Sequence, residues 1–147
     1  MSSQPVKVLT LVVGMHRSGT SLLASLLQAL GAHLPGQLIS GDVHNPEGYF
    51  EWAELVHVQE RLLIDLGRWW PSADGAQAMP SDWLDHPAAV SAKSSLINML
   101  RPVLAQSASS VVVIKDPRTS RLLPLWIAVA SELGITLQLL LAIRDPR

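Results

Sequence analysis

The stretch Val12-Val13-Gly14-Met15-His16-Arg17-Ser18-Gly19-Thr20-Ser21 constrains this chain more than any other. It lies between two apolar runs, Val8 to Val13 and Leu22 to Leu30. The first is short, rich in Val and Leu and ended by a glycine, the pattern of a buried parallel strand. The second places Leu22, Leu23, Leu26, Leu27 and Leu30 at helical spacing, with Ser18, Thr20 and Ser21 available as caps. A strand, a glycine turn and a helix in that order aim several backbone N–H groups and the positive end of a helix dipole at one point. Such a point binds phosphate.

Gly14 and Gly19 have the spacing of a Walker A loop, G-x-x-x-x-G-K-[ST], but Thr20 stands where that motif has its lysine. The cation sits at Arg17 instead, inside the loop. A planar guanidinium holds a phosphate or sulfonate through two parallel hydrogen bonds, which an ammonium cannot do. The loop is therefore expected to grip an anion without the lysine that bridges the β- and γ-phosphates of ATP. The plainer alternative is a strand–turn–helix unit with an incidental arginine.

Composition narrows the class. The 147 residues predict a single domain, 1–147, with a real hydrophobic core. With 48% hydrophobic residues, 16% charged residues and a net charge of −1, disorder and broad nucleic-acid affinity are not expected. The absence of cysteine removes disulfides, thiolate metal sites and cysteine nucleophiles together. No stretch reaches 18 apolar residues, so no membrane span is expected, and Met1 to Lys7 does not read as a signal peptide. The expectation is a soluble, cytoplasmic protein.

Beyond the first helix, Gly31 to Asn45 reads as a loop, followed by the turn Asn45-Pro46-Glu47-Gly48-Tyr49-Phe50-Glu51. Leu55, Val58, Leu62 and Leu66 then recur at helical spacing, and Gly67 stops that helix. Arg68 to Asp85, with Trp69, Trp70 and Trp83, reads as an irregular surface excursion. A third helix is expected over Pro87 to Leu104 and a second buried strand over Val111 to Ile114, ended by Lys115-Asp116-Pro117-Arg118. A further helix, capped by Thr119 or Ser120, tolerates Pro124 in its first turn. Ile135 to Ile143 is the third strand, and Arg144-Asp145-Pro146-Arg147 follows it.

Strands separated by helices imply a parallel sheet covered by helices, in which ligands sit beyond the carboxyl ends of the strands. Arg17, Lys115 and Arg144 each follow or end one strand. A nearly neutral chain thus gathers three cations at one rim, which asks for a multiply charged anion.

With these residues in place, the chain resembles the bacterial sulfotransferase-like proteins that carry a G-M-H-R-S-G-T-S loop. The resemblance runs through Val12–Ser21, Asn45–Glu51, Lys115–Trp126 and Arg144–Arg147. It implies a three-layer α/β/α domain with a parallel sheet, P-loop nucleoside triphosphate hydrolase-like and of sulfotransferase type. It also implies transfer of a sulfonate from 3′-phosphoadenosine 5′-phosphosulfate (PAPS) to a hydroxyl or amine acceptor, with no metal. On the same resemblance Gly14, His16, Arg17, Ser18, Gly19, Thr20 and Ser21 belong to the 5′-phosphosulfate loop, and Arg144 begins the 3′-phosphate motif. Lys115 matches a family lysine that stabilises the departing bridging oxygen. The histidine that follows this lysine in one subgroup is replaced by Asp116-Pro117, so the base must come from elsewhere. The family's N-P-x-G-aromatic-x-E pattern favours Glu51, with Glu47 and His44 as the other candidates.

The chemistry asks for the same parts: an acceptor proton removed, leaving-group charge neutralised and the reacting atoms held in line. Burial beside Tyr49 and Phe50 would raise the proton affinity of Glu51, although an acid at that position also suits a helix start. His16 either packs or contacts substrate. His33, His57 and His86 read as surface or structural residues, and Asp116 with Arg118 as a brace. The tryptophans either line an acceptor cleft, with a glycan acceptor suggested by family analogy, or form satellite core.

The 3′-phosphate motif of the family continues to a serine that would lie past Arg147, and no helix follows the third strand. Ile135 to Ile143 would then keep a bare apolar face, so the fold reads as incomplete at its C-terminal side and prone to self-association through that face. Two other readings stand beside the sulfotransferase. One is a P-loop kinase or NTPase, with Asp116 the nearest approach to a magnesium ligand. The other is a non-catalytic truncated remnant that binds an anion without turnover.

Overall fold

The computed structural model describes residues 7–145. The reading of the first six residues, and the Pro146-Arg147 end of the terminal motif, lie outside them. The chain folds as an α/β unit on a parallel sheet of β1 (Val8–Val13), β2 (Val111–Lys115) and β3 (Thr136–Leu141), in the order β2-β1-β3. Val8 pairs with Val111 on one side and Thr136 on the other, and Val12 pairs with Lys115 and Leu140. The helices are α1 (Thr20–Ala29), α2 (Ala53–Asp65), α3 (Pro87–Gln106) and α4 (Leu123–Leu133), with short 3₁₀ turns at Ala73–Ala76, Trp83–Asp85 and Pro117–Ser120.

Alternation along β1 divides the core in two. Leu9, Leu11 and Val13 point with Val112 and Ile114 toward α2, α3 and α4, and this larger cluster contains Leu55, Leu62, Leu96, Leu100, Leu125 and the fully buried Trp126. Val12 and Val113 point the other way, toward Ala24 of α1. Helices therefore cover both faces of the sheet, as a three-layer α/β/α arrangement requires. Burying an apolar side chain of this size contributes about 1.5–3 kcal/mol, so the α2–α4 face dominates cohesion.

Several expected details differ. The first helix is not capped by Ser18, Thr20 or Ser21: Gly19, in a left-handed conformation, takes the N-cap position without a side-chain bond. Ser18 donates to the Met15 carbonyl instead. Thr119 and Ser120 fall in a 3₁₀ turn, and α4 begins only at Leu123, with Pro124 in its first turn as predicted. Within the excursion read as surface, Trp83 takes the satellite-core alternative, whereas Trp69 and Trp70 are exposed. His86 is structural: its Nδ1 accepts from the Ala88 amide at the head of α3. The third strand is shorter than the apolar run, and five of its six residues are exposed.

Candidate anion-binding cleft

The site grows from the end of β1. Gly14 adopts φ +148°, and a Cβ there would lie 2.6 Å from the Ala142 carbonyl, so only glycine lets the loop leave the sheet beside β3. Its amide donates to the Ser120 hydroxyl at 3.1 Å, tying the loop start to the turn after β2. Arg17 is held at φ +63°, a conformation that disfavours side chains with a Cβ. Gly19 at φ +96° then turns the chain into α1, whose first-turn N–H groups have no partners within the helix.

At the end of β2, Lys115 is 4% exposed and donates from Nζ to Glu51 Oε1 at 2.6 Å and to the Tyr49 carbonyl at 2.9 Å. Phe50, at φ +58°, makes this convergence possible, because the left-handed residue turns the Tyr49 carbonyl and the Glu51 carboxylate toward the same ammonium. The turn is braced on the solvent side. Asn45 Nδ2 donates to the Gly48 carbonyl, Tyr49 donates its hydroxyl to Asp42, and the Ser21 hydroxyl donates to the Tyr49 carbonyl at 3.4 Å. Burial pushes the Glu51 carboxyl above its ordinary range even against the pull of Lys115.

Behind this pair lies a second layer. Arg118 donates from Nη1 to Asp116 at 2.9 Å and lies 3.9 Å from Glu51 Oε2 and 3.5 Å from Glu60. Asp116 is fully buried and also accepts from Gln59 Nε2 at 2.7 Å. The Gln59 carbonyl oxygen in turn accepts from the Trp126 indole at 2.8 Å and the Thr119 hydroxyl at 3.2 Å. The sequence reading of Asp116 and Arg118 as a brace describes this pair, but Gln59, Thr119 and Trp126 were missed as members. The available signal was a glutamine inside the apolar stripe of α2, one position past Val58, where a polar group is retained only if its partners are buried with it.

These elements enclose a cleft of about 310 Å³ whose walls include Arg17, Thr20, His44, Glu51, Lys115 and Arg144. The three rim cations predicted from strand ends thus reach one cavity, together with His16, Gly19 and Ser21. Gly14 and Ser18 line an adjoining cavity with Arg144, whose guanidinium donates to the Arg17 carbonyl at 3.4 Å. Of the three base candidates, Glu51 is buried against the cleft, His44 lines it from an exposed position, and Glu47 is exposed and is not among the lining residues. His16 packs its ring on Trp70 with centroids 5.0 Å apart. Desolvation and the nearby Arg118 and Lys115 hold its pKa below the ordinary imidazole value, so near neutral pH it presents an uncharged ring. His33 lies on the opposite edge of β2, where its backbone bridges to Val112.

No protein-family model and no curated protein matches this chain. Among the described residues, no group of three His, Asp or Glu side chains is placed to hold a metal ion, and no helix is long and apolar enough to cross a membrane. Chemically, the cleft offers an anion the N-terminal end of α1 and the Arg17 and Arg144 guanidiniums, beside a buried Lys115 ammonium that is paired with the Glu51 carboxylate.

Proposed function

We propose that this chain is a PAPS-dependent sulfotransferase-type domain of the P-loop class, the cleft holding the sulfonucleotide and Glu51 taking the acceptor proton. The observation that carries the reading is the convergence of Arg17, Lys115 and Arg144, from three strand ends, on one cavity that Glu51 also lines. Arg17 and the first turn of α1 would hold the 5′-phosphosulfate and Arg144 the 3′-phosphate. Lys115 would neutralise the bridging oxygen as adenosine 3′,5′-bisphosphate departs. Trp70 stands exposed against His16, where an acceptor ring, a glycan by family analogy, could stack.

The kinase or NTPase alternative needs a carboxylate free for magnesium. Asp116, its nearest candidate, is fully buried and engaged by Gln59 and Arg118, which favours the metal-independent reading. A binding remnant without turnover shares the same cleft and is separated by assay. Calorimetric titration with adenosine 3′,5′-bisphosphate and with ADP, with and without magnesium, tests the proposal. Metal-independent preference for the bisphosphate, lost in Arg17→Ala, is the expected result. Preference for ADP that requires magnesium overturns it.

A further inference from the structure

The candidate base and the candidate leaving-group cation are bound to each other. Lys115 directs two of an ammonium's three donors at Glu51 and the Tyr49 carbonyl, and both charged side chains are nine-tenths or more buried. In this arrangement the carboxylate is a salt-bridge partner, not a base, and the ammonium is neutralised before any ligand arrives. Yet Lys115 pairs in register with Val12, two residues before the loop begins at Gly14, and lines the same cleft as Arg17, Gly19 and Thr20.

We propose that the Glu51–Lys115 pair is a latch opened by the anion itself: a dianion entering the cleft draws the Lys115 ammonium away, and the vacated Glu51 oxygen takes up a proton from solvent while no acceptor is bound. That proton returns to solvent when an acceptor hydroxyl or amine displaces the water there, so that the ionised carboxylate meets the acceptor. The inference rests on reading the cleft as an anion site. A dianion offers Lys115 more negative charge than one carboxylate and a carbonyl do, and the flexible lysine stem can follow it. Glu51 stays in place, because its other oxygen faces Arg118, which is fixed by Asp116 and, through it, by Gln59.

The charged and titratable groups around Glu51 set the direction. Lys115 and Arg118 favour its ionised form, while burial and Asp116 disfavour it. Arg17 lies across Tyr49, Glu60 lies beyond Arg118, and His16 is near Lys115 and Arg118. Removing Lys115 from this balance subtracts the strongest influence that favours ionisation, so binding and proton uptake are coupled.

The test is calorimetry of the full chain in buffers of differing ionisation enthalpy, titrated with inorganic sulfate and separately with adenosine 3′,5′-bisphosphate. Sulfate stays a dianion across the working range and adds no protons of its own, and Glu51→Gln provides the reference for the titrating bisphosphate. Wild type is expected to take up about one more proton per bound ligand than Glu51→Gln. Carbon-detected NMR of the Glu51 carboxyl in wild type, which needs no variant, should show it moving toward its protonated position as sulfate is added. Equal proton counts, or an unmoved Glu51 resonance at saturation, overturn the latch while leaving the sulfonucleotide reading intact. Proton-coupled sulfate binding without bisphosphate binding supports the latch and overturns that reading, and binding of neither overturns both.

Discussion

Gly14 shows how narrowly single residues define this cleft. Its φ of +148°, and the Ala142 carbonyl 2.6 Å from where a Cβ would stand, leave no room for a side chain. Gly14→Ala is expected to cost at least about 2 kcal/mol of stability, read by chemical denaturation, from backbone strain and displacement of β3. Binding of any anion should weaken in the same variant, since the loop could no longer leave the sheet at that angle. Gln59 is the second such residue. Gln59→Leu keeps the volume but strips partners from the buried Asp116 carboxylate, the Thr119 hydroxyl and the Trp126 indole. A loss of about 3 kcal/mol is expected, because buried polar groups left without partners carry their full desolvation cost. A loss below about 1 kcal/mol would mean that water replaces the amide at little cost.

At the level of elements, what could be read from the sequence was what depends on periodicity. The runs at Val8–Val13 and Val111–Ile114, the Leu55–Leu62 stripe and the Pro87 helix all match strands or helices, because each has a face to bury. The strand-end cations were legible for the same reason: in a parallel sheet, the residue after each strand lies at one edge. What was not legible depended on backbone torsions and long-range partners. Ser18, Thr20 and Ser21 are good capping residues by type, yet Gly19 fills the role, because the left-handed turn out of the loop leaves no hydroxyl in position. The sequence showed Glu51 and Lys115 as separate agents, 64 positions apart. Only the left-handed Phe50 shows that they meet, and no pattern in residue type announces a positive φ at a phenylalanine. Of the two readings the tryptophans allowed, Trp83 takes satellite core, because the excursion that carries it folds back onto α3, while Trp69 and Trp70 stay exposed.

For the whole molecule, the sheet is unevenly dressed. β1 is buried on both faces, while β3 lies at the edge with Leu139, Leu140 and Leu141 at 46%, 36% and 63% exposure. An exposed apolar edge strand is a template for pairing. Concentration-dependent association in sedimentation velocity is therefore expected, and Leu141→Lys should reduce it by placing a charge on that edge. A sharp monomer at all concentrations would count against it. The central claim, however, concerns the opposite use of the same strand: β3 delivers Arg144 to the cleft that Arg17 and Lys115 line. The most direct test compares adenosine 3′,5′-bisphosphate with 5′-AMP, which lacks the 3′-phosphate, in wild type, Arg144→Ala and Arg17→Ala. Removal of Arg144 should weaken the bisphosphate roughly 10- to 100-fold and leave AMP unchanged, the value of one charged hydrogen-bonding contact, while removal of Arg17 weakens both. Equal losses for the two nucleotides in Arg144→Ala, or none for either, would contradict the account.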